Sequence, residues 1–270
     1  MTGKPAGARD AWPADWLIPD WPAAANVRAL STTRSGGIST GPWNRMNLGA
    51  RCGDDPLAVA ANRRALQSAI GARPVFLNQV HGIAVLEAHS ATADGQSADA
   101  SITYKRNVAC TVLAADCLPV LFTDTAGQCV GAAHAGWRGL AAGVLSVVLE
   151  RFRDNALVQR SCEATNIIAW LGPCIGPLEF EVGSEVKGAF EARDPAAGTL
   201  FAACGHGKWQ ADLAGLARLQ LLSAGVRAVY GNDGSAGWCT VRNPSRFFSH
   251  RRDTSRLGGS GRFAACIWLE

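Results

Sequence analysis

The chain has 270 residues and a net charge of +4, with 48% apolar and only 18% charged residues. That balance suits a compact enzyme with a sizeable core and excludes a disordered or collagen-like chain. No basic run with interleaved aromatics and no apolar stretch of bilayer length is present, so neither a nucleic-acid surface nor a membrane span is expected.

Residues 1–25 read as a loose N-terminal lead-in broken by Pro13, Pro19 and Pro22, and 26–270 as one catalytic domain. Val27–Thr33 reads as a strand that ends in the glycine-rich turn at Arg34-Ser35-Gly36-Gly37. Asp54-Asp55-Pro56 opens a helix, with acidic residues at its positive end and Pro in its first turn, and Gly71 stops it after Ile70. Val75–Val80 and Ile83–Ala88 are short apolar runs on either side of His81-Gly82, which predicts two strands joined at a tight corner.

The central section is the most regular. Val108–Ala114, Leu118–Thr123 and Cys129–Ala133 read as buried strands, followed by one helix over Leu140–Phe152 with Leu140, Val144, Val147, Val148 and Phe152 on one face. Ile167–Leu171 is a further strand. Helices follow near Ser184–Glu191 and Asp212–Leu222, then strands near Val226–Tyr230 and Phe263–Leu269. Strand pairs mixed with helices predict an α+β domain with mixed sheets flanked by helices, and not a doubly wound fold.

Nine cysteines are scattered through the chain with no Cys-x-x-Cys pair. No long apolar run occupies Met1–Asp20, so reduced thiols in the cytoplasm are the expectation. Three segments stand out: Asn78-Gln79-Val80-His81-Gly82, Ala115-Asp116-Cys117-Leu118-Pro119 and His134-Ala135-Gly136-Trp137-Arg138-Gly139. They offer His81, Cys117 and His134, spaced 36 and 17 residues apart. Two neutral imidazoles and a thiolate suit a catalytic zinc site that keeps a fourth position open. The bland alternative is a buried cysteine acting as a small hydrophobe, the commonest fate of a free thiol.

These segments resemble the YfiH-like family, also called the multicopper polyphenol oxidase or laccase-domain family. The resemblance extends over Thr32–Gly37, Met46-Asn47-Leu48-Gly49, Gly53–Pro56, Asn62-Arg63-Arg64, Ala98-Asp99, Gly172–Gly176 and Phe247–Asp253. It implies a YfiH-like sandwich fold, similar to that of some Cys-His deamidating toxins. It also implies zinc held by His81, Cys117 and His134, and phosphorolysis of adenosine, inosine, guanosine and methylthioadenosine, with deamination of adenosine.

Deamination needs an activated water, which zinc supplies by lowering its pKa, and a proton shuttle, for which Asp116 is nearest in sequence. Phosphorolysis needs a phosphate site. Arg34, Arg138 and Arg251 are the candidates because each sits in or beside a motif loop, whereas Arg252, Arg256 and Arg262 read equally as solvated surface. Asn47, Gln79 and Asn78 could read a ribose or purine edge, or cap turns. His250 has no assigned role.

Three other functions compete. Copper could replace zinc and give polyphenol oxidation, but five histidines cannot furnish a blue site and a trinuclear cluster. Cys117 could instead be a metal-free nucleophile activated by histidine, in a hydrolase or amidase that edits peptidoglycan precursors. A non-enzymatic metal-binding module is the third. With no exposed heptad or long apolar edge, a monomer is expected.

Overall fold

A computed structural model describes residues 12–154 and 166–270; Cys162 lies outside the described residues. In chain order the elements are β1 (Val27–Ser31), α1 (Pro56–Ile70), β2 (Arg73–Phe76), β3 (Val85–Glu87), β4 (Ala100–Thr103), β5 (Val108–Ala114), β6 (Leu118–Asp124) and β7 (Val130–Ala135). Then come α2 (Trp137–Ala142), α3 (Val144–Asp154), β8 (Ile167–Leu171), β9 (Glu181–Gly183), α4 (Ser184–Glu191), β10 (Phe201–Gly205) and β11 (Lys208–Ala211). The chain closes with α5 (Leu213–Ser223), β12 (Ala228–Gly231), α6 (His250–Leu257) and β13 (Phe263–Leu269).

Two mixed sheets carry the fold, one ordered β1-β13-β5-β2 and the other β12-β8-β6-β7-β4-β3. Their strands are apolar on both sides because both sheets are covered on both faces. On β13, Ala265, Ile267 and Leu269 face the inter-sheet core, while Ala264, Cys266 and Trp268 pack with Leu66 and Ile70 of α1. On β6, Leu118, Val120 and Phe122 turn the other way, toward α3 and α5. The result is an α+β sandwich of mixed sheets flanked by helices, as expected. A third sheet, β10-β11-β9, was not legible in sequence.

The α1 boundaries follow the expected logic. Asp55 accepts a hydrogen bond from Leu57 N at 2.9 Å, Pro56 leads the first turn, and Gly71 closes the helix at φ 68°. The predicted Leu140–Phe152 helix is instead two, because Gly143 adopts φ 99° and ends α2. Leu140, Val144, Val148 and Phe152 remain buried on one face. The lead-in is not loose where it is described: Trp16 is buried, and Leu17 and Ser31 exchange backbone hydrogen bonds at 2.8 Å.

Candidate metal centre and its cavity

Antiparallel pairing of β6 with β7 sets Pro119 opposite His134 and Leu118 opposite Ala135. Cys117, one residue before β6, therefore arrives beside Gly136, one residue after β7. His134 is the penultimate residue of β7, not a residue beyond its end, because pairing with β6 continues to Ala135. Period-2 alternation gives it the parity of Val130 and Ala132, which face the inter-sheet core.

His81 reaches the same point from the other side. The strand expected to run on to Val80 stops at Phe76, and the chain curls so that His81 takes the left-handed φ of 60°. Two side chains hold the curl. The Gln79 amide donates to Leu113 O and accepts from Leu113 N, both at 2.8 Å, and so acts as a surrogate strand partner for β5. The Asp99 carboxylate accepts from the N–H groups of Val80, His81 and Gly82 at 3.1, 2.9 and 2.7 Å.

The ligand atoms of His81, Cys117 and His134 lie within 4.8 Å of one another. Cys117 Sγ stands 3.8 Å from His81 Nε2, and the two imidazoles meet edge to face with centroids 4.8 Å apart. Glycine is required beside them: a Cβ on Gly136 would stand 2.7 Å from His81 Cδ2 and 3.0 Å from Cys117 Sγ. Asp99 also accepts from His134 Nδ1 at 2.9 Å, leaving Nε2 as the free ring nitrogen. A carboxylate behind a histidine is how proteins fix the tautomer and orientation of a metal ligand. The donor set, its compactness and this buttress fit zinc.

The electrostatics favour the ligand form of the thiol. Burial pushes the Cys117 thiol up, but the His134 charge and hydrogen bonds from both imidazoles outweigh it and bring it down to about 6. Burial lowers His134, yet the Cys117 charge and the Asp99 hydrogen bond raise it to about 9. Burial would likewise raise Asp99; the hydrogen bonds from His134, Gly82 and Val80 and the His134 charge leave it below the usual carboxylate range. Without metal, each group favours the charged form of the other, Cys117 the thiolate and His134 the imidazolium.

The triad opens on a cavity of about 690 Å³, within the range of small-molecule sites. Of the residues singled out in sequence, Asp116, Asn78, Gln79, His250 and Arg251 line it. Asp116 is only 9% exposed and sits at φ 97°; its oxygens accept from the Thr240 hydroxyl and Arg251 N, both at 2.6 Å. It thus ties the start of α6, which carries His250 and Arg251, to the residue before Cys117. The Arg251 guanidinium reaches Glu179 O and Glu181 O at 3.4 and 3.3 Å.

Three candidates are elsewhere. Arg34 donates to Asn44 O at 3.0 and 2.8 Å and to Pro244 O at 2.9 Å, and lies over the Phe248 ring, so its guanidinium fastens two loops. Asn47 is wholly buried, bonded to Gly49, Asp54 and the Arg262 backbone. Arg138 is exposed and stacks on Trp137 outside the cavity. A motif loop can place a side chain outward or into its own scaffold as readily as into a cavity.

Sequence reasoning also missed residues. Asp99 lay in a quoted motif but received no role, because its partners are 17 to 35 residues away. Arg51, Arg63, Phe76, Trp137 and Phe180 line the cavity. The start of α6 carried a readable signal: Ser249 accepts from Arg252 N while Asp253 reaches back to Ser249 N, a reciprocal cap.

A family model described as multi-copper polyphenol oxidoreductase laccase matches residues 28–270. The chain belongs to this family. A Pseudomonas aeruginosa relative named purine nucleoside phosphorylase is 46% identical over 256 residues, covering 94% of this chain and 98% of the relative. The Escherichia coli purine nucleoside phosphorylase YfiH is 45% identical, with the same coverage. Among solved structures, Neisseria meningitidis protein NMB0706 superposes with a TM-score of 0.85 at 46% identity, covering 95% of this chain and 99% of that one. YlmD from Geobacillus stearothermophilus gives 0.84 at 30% identity, covering 99% and 98%.

The family's description mentions several coppers. Among the described residues the one candidate metal group is His81, Cys117 and His134. His89 faces Glu87, and His250 contacts Thr254. No helix among the described residues is long and apolar enough to cross a membrane.

Proposed function

We propose that the protein is a zinc-dependent purine nucleoside phosphorylase acting on adenosine, inosine, guanosine and methylthioadenosine, with adenosine deaminase activity. The observation that carries this reading is the convergence of His81, Cys117 and His134 on a cavity of small-molecule size, in a chain 45–46% identical to proteins bearing that name. Purine nucleosides and phosphate are then its substrates, and it works as a monomer in the cytoplasm. The eight described cysteines are free, which fits a reducing compartment.

Zinc at His81, Cys117 and His134 would supply a Lewis acid at one end of the cavity. The protein's own residues position and enclose. Asp99 holds the His134 imidazole and the His81 backbone, and the Asp116 carboxylate, engaged by two donors, keeps His250 and Arg251 at the cavity wall. Trp137, half-buried at the wall, offers aromatic surface to a purine. In phosphorolysis a phosphate oxygen bonds to C1′ of the ribose, the C1′–N9 bond breaks, and the purine leaves with the electron pair and takes a proton. In deamination, water adds at C6 and ammonia departs.

Adenosine incubated with zinc-loaded protein should yield adenine and ribose 1-phosphate only when phosphate is present, and inosine with or without it, as read by mass spectrometry. Failure to consume any of the four nucleosides would overturn the reading. One observation favours a second: the Cys117 thiol, lowered to about 6 beside two imidazoles, is a ready nucleophile for a metal-free hydrolase or amidase. Protein purified without added metal that lacks zinc and alkylates rapidly would favour it. Stoichiometric zinc would dismiss it.

A further inference from the structure

The wall of the cavity formed by residues 49–52 has an unassigned chemistry. It is built by a buried amide relay. Asn62, on the inner face of α1, donates to Ser39 Oγ, Arg45 O and Asn47 O and accepts from Ile38 N, which fixes the 38–47 loop against the helix. Asn47 continues the relay: its Oδ1 accepts from Gly49 N at 2.9 Å and from Arg262 N at 2.8 Å.

The relay gathers three guanidinium groups. Arg63 Nε donates to Leu48 O at 2.9 Å, while Leu48 N donates to Arg262 O at 3.0 Å, so Arg63 and Arg262 flank the same residue. A Cβ on Gly49 would stand 2.8 Å from Arg262 Cγ, so glycine lets that stem lie flat on the loop. Arg51 follows two residues on and contacts Asn78. Arg51, Arg63 and Arg262 all line the cavity.

Their positive charge is only partly offset locally, by one carboxylate. Asp94, also at the wall, approaches Arg63 Nη1 only to 3.9 Å and is shared with Arg73 at 3.9 Å, beyond hydrogen-bond length. The Arg262 guanidinium hydrogen-bonds to the Ser260 and Gly261 carbonyls, which carry no net charge. Arg63 is stacked 3.9 Å over Phe76, a geometry that holds its plane while leaving Nη2 free. Three orientated guanidinium groups around one concave surface are the usual means of holding a tetrahedral oxyanion by forked N–H pairs.

We propose that Arg51, Arg63 and Arg262 form a phosphoryl-binding subsite of this cavity. The phosphoryl group is either inorganic phosphate, which rests on the phosphorolysis proposed above, or the 5′-phosphate of a bound nucleotide, which does not. The assignment moves the anion site away from Arg34 and Arg138, which point elsewhere.

The test is calorimetric titration of the zinc-loaded protein with inorganic phosphate, adenosine and adenosine 5′-monophosphate, without turnover as a readout. Arg51→Gln and Arg63→Gln should each weaken binding of a phosphoryl ligand about tenfold, the scale of one charge-assisted pair. Arg51→Lys should recover part of it, and Arg138→Gln should bind as the parent does. Loss confined to inorganic phosphate identifies the co-substrate. A tighter fit of the monophosphate than of adenosine, lost in the variants, identifies a nucleotide. Arginine-dependent phosphate binding in a protein that performs no phosphorolysis would sustain the subsite and remove the phosphorylase reading. Unchanged affinities in folded Arg51→Gln and Arg63→Gln, or no phosphoryl binding by the parent, would overturn the subsite.

Discussion

Asp99 accepts a hydrogen bond from His134 Nδ1 at 2.9 Å while the same carboxylate takes three backbone N–H groups from Val80, His81 and Gly82. One fully buried side chain thus sets the ring of one ligand and the backbone of another. Asp99→Asn turns an amide N–H toward these donors. Zinc affinity should fall about 10–100-fold, the usual loss when the residue behind a ligating histidine is changed. Competition with a chromophoric chelator measures it, and parent-like affinity would refute the role.

Gly136 adopts φ −65° and ψ 155°, which any residue tolerates, so Gly136→Ala introduces only a Cβ between His81 and Cys117. Thermal stability should change little, while zinc per chain should drop well below that of the parent. Elemental analysis beside a melting curve separates the two. Full zinc occupancy with normal stability would show that the ligands relax at no cost.

The metal-free thiol gives a pH signature. Deprotonation makes the nucleophile, so alkylation rises with pH, and a thiol lowered to about 6 completes that rise earlier than one at 9.0. Iodoacetamide labelling of Cys117 in zinc-free protein should reach half its plateau near pH 6, and zinc should suppress it. A midpoint near that of a free cysteine, about 8.5, would contradict the thiolate–imidazolium pair.

Gly143 separates α2 from α3 at φ 99°, where a side chain is strained, and a Cβ there would stand 2.6 Å from the Arg193 guanidinium. Gly143→Ala should destabilise the fold by about 1–2 kcal/mol. Were the helix continuous from Leu140 to Phe152, the same substitution would stabilise it by about 1 kcal/mol. The sign of the shift in urea unfolding decides.

Much of the fold is local and therefore legible. Asp55, Pro56 and Gly71 bound α1 because capping and left-handed turn chemistry act within a few residues. Val108–Ala114, Ile167–Leu171 and Phe263–Leu269 match their strands because continuous apolar runs must be covered on both faces. The short strands of the third sheet have half-exposed, weakly patterned residues and gave no such signal. Gly143 sits inside a helical pattern, and nothing local announces its positive φ.

The sequence by itself determined the candidate ligand types, the family and the α+β class, because His81, Cys117 and His134 sit in motifs whose chemistry travels with them. Only the tertiary structure decided what surrounds them. Register between β6 and β7 brings Cys117 to Gly136, and Asp99 reaches across 17 to 35 residues to hold both histidines. The arginines show the same division. Arg34 fastens two loops and Arg138 lies exposed at the start of α2, while Arg51, Arg63 and Arg262 line the cavity. A residue's type fixes what it can bind, but its direction is set by partners distant in sequence, and pairing across such distances is a property of the folded sheets.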